Sequence, residues 1–103
     1  MQELINRVLV WAHNKGILEH GTVAAQAEKT CEEADELLQA VELEDKEEVV
    51  DGIGDTLVTL IIQAQMQGLS VQECLETVLM EIEGREGSMI NGTFVKREVW
   101  DGR

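Results

Sequence analysis

At 103 residues, with 8 basic against 21 acidic side chains and a formal charge of −13, the chain reads as one small acidic domain. So few Lys and Arg cannot neutralise a nucleic-acid backbone, which excludes a nucleic-acid polymer as the expected partner. With 44% apolar residues the chain is also no disordered acidic tail, and it should fold.

The absence of proline and the abundance of Leu, Ala, Glu, Gln and Val predict a helical protein. The longest apolar run, Leu57 to Ile62, is too short to span a bilayer, so no membrane association is expected. No signal peptide is evident, which gives a cytoplasmic expectation with Cys31 and Cys74 as reduced core thiols.

Leu4, Ile5, Val8, Leu9 and Ala12 recur at helical spacing and predict a first helix from Met1 to about Lys15, stopped by Gly16. Trp11 beside them reads as core rather than as a base-stacking platform. His20-Gly21-Thr22 is a loop, with Thr22 as N-cap of the second helix. That helix carries two stripes. Ala24, Ala27, Cys31, Ala34, Leu38 and Val41 form an apolar packing seam, and Gln26, Lys29, Glu33, Glu36 and Ala40 lie on its flank. Glu28, Glu32, Asp35 and Gln39 fall on the far side.

The short link Leu43-Glu44-Asp45, with Asp45 or Glu44 as cap, predicts an antiparallel partner helix from Lys46 to Gln67. On it Glu48, Asp51, Asp55, Val58 and Ile62 form one stripe, which predicts that Asp51 and Asp55 face inward. Gly52 and Gly54 each weaken the helix by about 1 kcal/mol relative to alanine. They mark either a locally weak helix or the close approach of another group. Gly68 ends this helix, and Ser70-Val71-Gln72-Glu73 is a capping box opening a fourth through about Glu83. Asn91-Gly92 between Ser88-Met89-Ile90 and Thr93-Phe94-Val95 predicts a hairpin over about 88–95 with a type I′ turn. The expectation is thus a single domain over 1–98 and a loose tail over 99–103.

Spacings of three and four place Glu33 with Glu36, and Asp51 with Asp55, on one face of each helix. If the helices turn these faces toward each other, four carboxylates converge. Two such charges about 5 Å apart repel by roughly 3 kcal/mol at an effective dielectric near 20. A small domain is stable by only about 5–15 kcal/mol, so a dry cluster without a counter-ion is untenable. Solvation, a raised carboxylate pKa or a bound metal relieves it. Hard oxygen ligands suit Mg²⁺, with Mn²⁺ as a substitute, and such a site fits phosphoanhydride hydrolysis. The candidate ligands are Glu33, Glu36, Asp51 and Asp55, with Glu48 as a fifth. His13 and His20 read as surface residues, and neither sits in the Glu-x-x-His pair of a di-iron bundle.

The ordered series Gln26-x-x-Lys29-x-x-Glu32-Glu33-x-x-Glu36-Leu37, Asp51-Gly52-Ile53-Gly54-Asp55, Glu73-Cys74-Leu75, Glu81-Ile82, Arg85-x-Gly87 and Met89-x-Asn91-Gly92-x-Phe94-Val95-Lys96 resembles the MazG-like nucleotide pyrophosphohydrolases. These belong to the all-α nucleoside triphosphate pyrophosphatases, and the likeness is to their short phage-type members. Trp11-Ala12 fits as well, and the likeness spans roughly residues 5–98. It implies an all-α, four-helix bundle completed by oligomerisation into a homodimer or homotetramer, in a bacterial cell or phage-infected host. The implied reaction is Mg²⁺-dependent cleavage of a (d)NTP between its α and β phosphates, giving a monophosphate and pyrophosphate.

Glu33, Glu36 and Asp55 match the family's ligands. Gly52 stands where a glutamate is usual, and Asp51 one residue earlier is the expected replacement; Glu48-Val49-Val50-Asp51 offers the same pattern one turn back. Met80 and Glu83 replace the common asparagine and lysine. Glu36 or Glu32 is expected to orient or deprotonate the attacking water. Lys29 either reaches substrate phosphate or pairs with Glu33, Gln26 either reads a base edge or lies on the surface, and Arg85 either holds phosphate or makes a salt bridge. The competing reading is a non-catalytic acidic helical module that binds a protein partner.

Overall fold

The computed structural model describes residues 1–97, so the expected tail over 99–103 lies outside the described residues. The first helix, α1 (Gln2–Asn14), ends at Lys15, and Gly16 follows at φ 77°, the left-handed geometry that glycine readily supplies at a helix end. A single turn, α2 (Ile17–His20), comes next. It is too short to show a period and adds a fifth helix to the four expected.

Two side-chain caps then open the long helices at the expected positions. Thr22 Oγ1 accepts the Ala25 amide at 3.1 Å and starts α3 (Val23–Glu42). Asp45 Oδ1 accepts the Glu48 amide at 3.2 Å and starts α4 (Lys46–Met66). Each cap satisfies one backbone donor that the helix itself leaves bare. Gly68 follows α4 at φ 71°.

The contacts between α3 and α4 run antiparallel, as the short link predicts. Gln26 Nε2 donates to the Thr59 carbonyl at 3.1 Å, and Thr30 Oγ1 donates to Thr59 Oγ1 at 2.9 Å. Further along, Leu37 faces Gly52 so closely that a Cβ on Gly52 would lie 3.0 Å from both Cα and Cβ of Leu37. This decides between the two accounts of the glycines. Gly52 marks a close helix crossing, whereas a Cβ on Gly54 would meet nothing within 4 Å.

The inward faces differ from the expected ones. On α3 the buried and half-buried positions are Gln26, Thr30, Glu33, Leu37 and Ala40, and on α4 they include Gly52, Thr56, Thr59 and Ile62. The apolar seam Ala24, Ala27, Cys31, Ala34, Leu38 and Val41 is exposed instead, Leu38 by 54% and Val41 by 55%. The reason is the crossing itself: the pair meets along its small and hydroxyl side chains, which permit near-backbone contact. That rotates the seam outward. Asp51 and Asp55 are likewise exposed rather than inward-facing.

The buried apolar residues are Ala12, Ala40, Ile61, Ile62 and Ala64, and no large side chain is fully buried among the described residues. Trp11, expected in the core, is 48% exposed, and Cys31 and Cys74, expected as core thiols, are exposed and free. His13 and His20 lie on the surface as expected.

The chain parts into two compact units, Met1–Val71 and the remainder from Gln72. The second holds α5 (Val71–Glu83) and an antiparallel hairpin of β1 (Gly87–Ile90) and β2 (Thr93–Lys96). Met89 pairs with Phe94 and Ile90 with Thr93. Asn91 and Gly92 both take positive φ, 50° and 85°, as a type I′ turn requires. Lys96 closes β2, and Arg97 pairs with Glu86 at the hairpin base. No helix among the described residues is long and apolar enough to cross a membrane.

The two helix glycines should therefore respond oppositely to the same change. Gly54→Ala should stabilise by about 0.4–1 kcal/mol through the unfolded chain. Gly52→Ala should destabilise by about 1–3 kcal/mol, because the Leu37 backbone must yield. Denaturant melts of both variants check this, and an equal stabilisation by the two would refute the close crossing.

Candidate functional site

Glu33 lies on the inward face of α3, one turn before Leu37, and is 9% exposed. Lys29, one turn earlier, lies 3.4 Å from Glu33 Oε1 and also 3.4 Å from Glu32 Oε2. Hydrogen bonding to Glu33, and then to Glu32, raises the Lys29 pKa above its usual value, so the ammonium stays charged. Glu33 Oε2 is buried with no hydrogen-bond partner. Leaving such a group bare costs about 1–3 kcal/mol, more when it is charged. The helix pair thus holds a carboxylate by one oxygen and leaves the other available.

Glu36 is exposed on the next turn. Its carboxyl lies near enough to that of Glu33 to favour a shared proton, short of a formed hydrogen bond. That sharing, followed by the negative charge of Glu33, raises the Glu36 pKa above its ordinary value. Desolvation adds to the rise, Lys29 opposes it, and the charge of Asp55 on α4 adds a further small push. Glu36 therefore feels Glu33 on its own helix and Asp55 across the helix pair.

Asp51 and Glu48 are exposed, and neither figures among the groups that shift Glu36. Glu32 is turned to solvent and engaged by Lys29. Gln26 is buried, with its amide nitrogen bonded to the Thr59 carbonyl, and so ties α3 to α4. Arg85 lies just past α5 in the second unit, exposed, its amide bonded to the Ile82 carbonyl.

The donors suit a hard divalent cation: all are oxygens, one is buried and unpartnered, and two more carboxylates lie within electrostatic reach. Among the described residues no three His, Cys, Asp or Glu side chains are grouped closely enough to hold a metal ion together.

Two features escaped the sequence reading. One is the hydroxyl ladder behind the cluster: Thr30 bonds Thr59, Thr59 bonds the Thr56 carbonyl at 2.6 Å, and Thr56 bonds the Gly52 carbonyl at 2.7 Å. Threonines at 56 and 59 look like ordinary helix residues until a partner helix is in place. The other is a cleft of about 510 Å³ between α1 and α4, lined by Leu4, Arg7, Val8, Trp11, Asp55 and Val58. The spacing of Leu4, Arg7, Val8 and Trp11 does put Arg7 on one edge of an apolar stripe, so a signal existed there.

Comparison with known proteins adds the reaction class. The family model for phosphoribosyl-ATP pyrophosphohydrolase matches residues 5–81, which include most of α1, both long helices and most of α5. No curated protein and no solved structure matches the chain. The matched family lies within the MazG-like all-α NTP pyrophosphatase superfamily, so the resemblance read from the motifs holds at superfamily level. Its members are hydrolases acting on phosphoric anhydrides, which displaces the reading as a non-catalytic binding module. The chain belongs to the phosphoribosyl-ATP pyrophosphohydrolase family.

Proposed function

We propose that the chain is a Mg²⁺-dependent pyrophosphohydrolase that cleaves a (d)NTP between its α and β phosphates, releasing a nucleoside monophosphate and pyrophosphate, in the manner of short phage-type MazG-like proteins. The observation that carries this reading is the half-satisfied Glu33 carboxylate, with Glu36 and Asp55 beside it. Glu33, Glu36 and Asp55 would hold the metal, with Asp51 and then Glu48 as outlying ligands on α4. Bound there, Mg²⁺ or Mn²⁺ polarises a phosphate oxygen and offsets developing negative charge.

The remaining chemistry belongs to side chains. One P–O bond forms to the water oxygen while the bridging α–β P–O bond breaks, and the water's proton passes to a carboxylate. Glu36 suits that role better than Glu32, because Glu32 is engaged by Lys29. Lys29 positions Glu33, and Gln26 holds the helices together.

A second substrate is favoured by one specific observation. The matched family is named for phosphoribosyl-ATP, whose triphosphate offers the same anhydride. The bare Leu38 and Val41 stripe, set against so small a buried core, supports assembly of copies into a homodimer or homotetramer.

Pyrophosphate release from a panel of dNTPs, NTPs and phosphoribosyl-ATP, with and without Mg²⁺, tests the reading. Glu36→Gln and Asp55→Asn should each lower kcat by about a hundredfold or more; full activity in both would remove the site assignment.

The raised pKa of Glu36 gives a stability signature with a definite sign. The folded form binds this proton more tightly than the unfolded chain does. Its stabilisation is fully present below the unfolded pKa and is lost as pH rises through the folded pKa. The metal-free protein should therefore lose part of its thermal stability just above the ordinary carboxylate range, and Glu36→Gln should flatten that fall. An unchanged slope in the variant would contradict it.

Sedimentation equilibrium should show at least a dimer that Leu38→Glu shifts toward monomer; a wild type that stays monomeric at high concentration would rule assembly out.

A further inference from the structure

The cleft between α1 and α4 has one charged wall on each side. Asp55 of the carboxylate cluster lines one, and Arg7 of α1 lines the other. Arg7 is the one cation in the lining of this cleft. Lys29 is engaged by Glu32 and Glu33, and Arg97 by Glu86, but Arg7 makes no ion pair among the described residues, not even with Glu3 one turn before it. Lys96 and Arg97 line a hollow at the hairpin that holds none of the cluster's carboxylates.

In a chain of net charge −13 the general field repels a polyphosphate, so any attraction must be local. A guanidinium is the side chain best matched to that task, because its planar fork meets two phosphate oxygens at once. The rest of the lining, Leu4, Val8, Trp11 and Val58, is apolar, the kind of wall that accepts the uncharged part of a nucleotide. At about 510 Å³ the cleft falls within the range of small-ligand sites.

We infer that Arg7 is a substrate-contacting residue: its guanidinium holds non-bridging phosphate oxygens of a nucleotide lying in the α1/α4 cleft, opposite Asp55. This rests on the pyrophosphohydrolase reading above and adds to it the protein's own cation. The sequence motifs named Lys29 and Arg85 for that role, but Lys29 is occupied with carboxylates. The cleft also explains why Trp11 is left half in solvent on a helix that buries Ala12 next to it.

The test is calorimetric binding, with Mg²⁺ at fixed ionic strength, of the α,β-methylene analogue of whichever nucleotide releases most pyrophosphate. Wild type is compared with Arg7→Gln, Arg7→Lys and the charge-matched control Lys15→Gln. Arg7→Gln should weaken binding about ten- to hundredfold, the range for losing a charge-assisted hydrogen bond. Arg7→Lys should recover part of that loss, Lys15→Gln should bind like wild type, and the melting temperature of Arg7→Gln should not move. In turnover, KM should rise more than kcat falls.

Wild-type affinity in Arg7→Gln overturns the inference and leaves the activity standing. An equal loss in Lys15→Gln also overturns it, since the effect would then be one of net charge. If wild type neither binds the analogue nor releases pyrophosphate, the proposed function has failed and Arg7 falls with it.

Discussion

The approach of Leu37 to Gly52 sets the terms for everything else in the first unit. With a Cβ position 3.0 Å from the Leu37 backbone, α3 and α4 cross too closely there for any side chain but glycine's to fit without a shift. That distance selects which faces meet: hydroxyls, an amide, a glycine and one carboxylate turn inward, and the larger aliphatics of α3 turn out. It also accounts for the departure at position 52 from the motif of related pyrophosphohydrolases. A glutamate there would need its Cβ where Leu37 already stands, so in this chain the α4 acids sit to either side, at Asp51 and Asp55.

The same crossing produces the tension at Glu33. Pulled inward by its place on the α3 face, the carboxylate is met by Lys29 on one oxygen and by nothing on the other. Buried groups of this kind are ordinarily satisfied, and exceptions concentrate where chemistry is done. The neighbouring Glu36 does not relieve Glu33; its own pKa is raised by it. The helix pair therefore leaves one buried carboxylate oxygen without a partner, beside two further acids. Arg7 across the cleft supplies a fixed cation of a different kind, placed for an anion rather than for the cluster.

Much of this was legible in the residues. Thr22 and Asp45 announced both long helices, Gly16 and Gly68 marked stops, and Asn91-Gly92 fixed the hairpin turn, because each is a local choice of backbone geometry. Spacing and motif order also singled out Glu33, Glu36 and Asp55, of which Glu33 alone turns inward. What periodicity did not reveal was rotation. Two stripes on α3 offered two possible inward faces, and the more apolar one is the natural choice when hydrophobic burial decides. Here close crossing decided instead, and it favours small and hydroxyl side chains over Leu38 and Val41. The exposure of Trp11, Cys31 and Asp51 follows from the same difference. Arg7 was passed over because a lone arginine on an amphipathic helix carries no signal until the opposite wall is known.

The threonine ladder has a consequence for how the single chain responds to temperature. Thr56 and Thr59 bond carbonyls of their own helix, and Thr30 and Gln26 bond across the pair, so the contact between α3 and α4 is satisfied largely by polar groups. Heat capacity rises on unfolding with the apolar surface uncovered and falls with the polar surface. A helix pair joined this way uncovers little of the first and more of the second. To the extent of these polar contacts the free-energy curve is flattened.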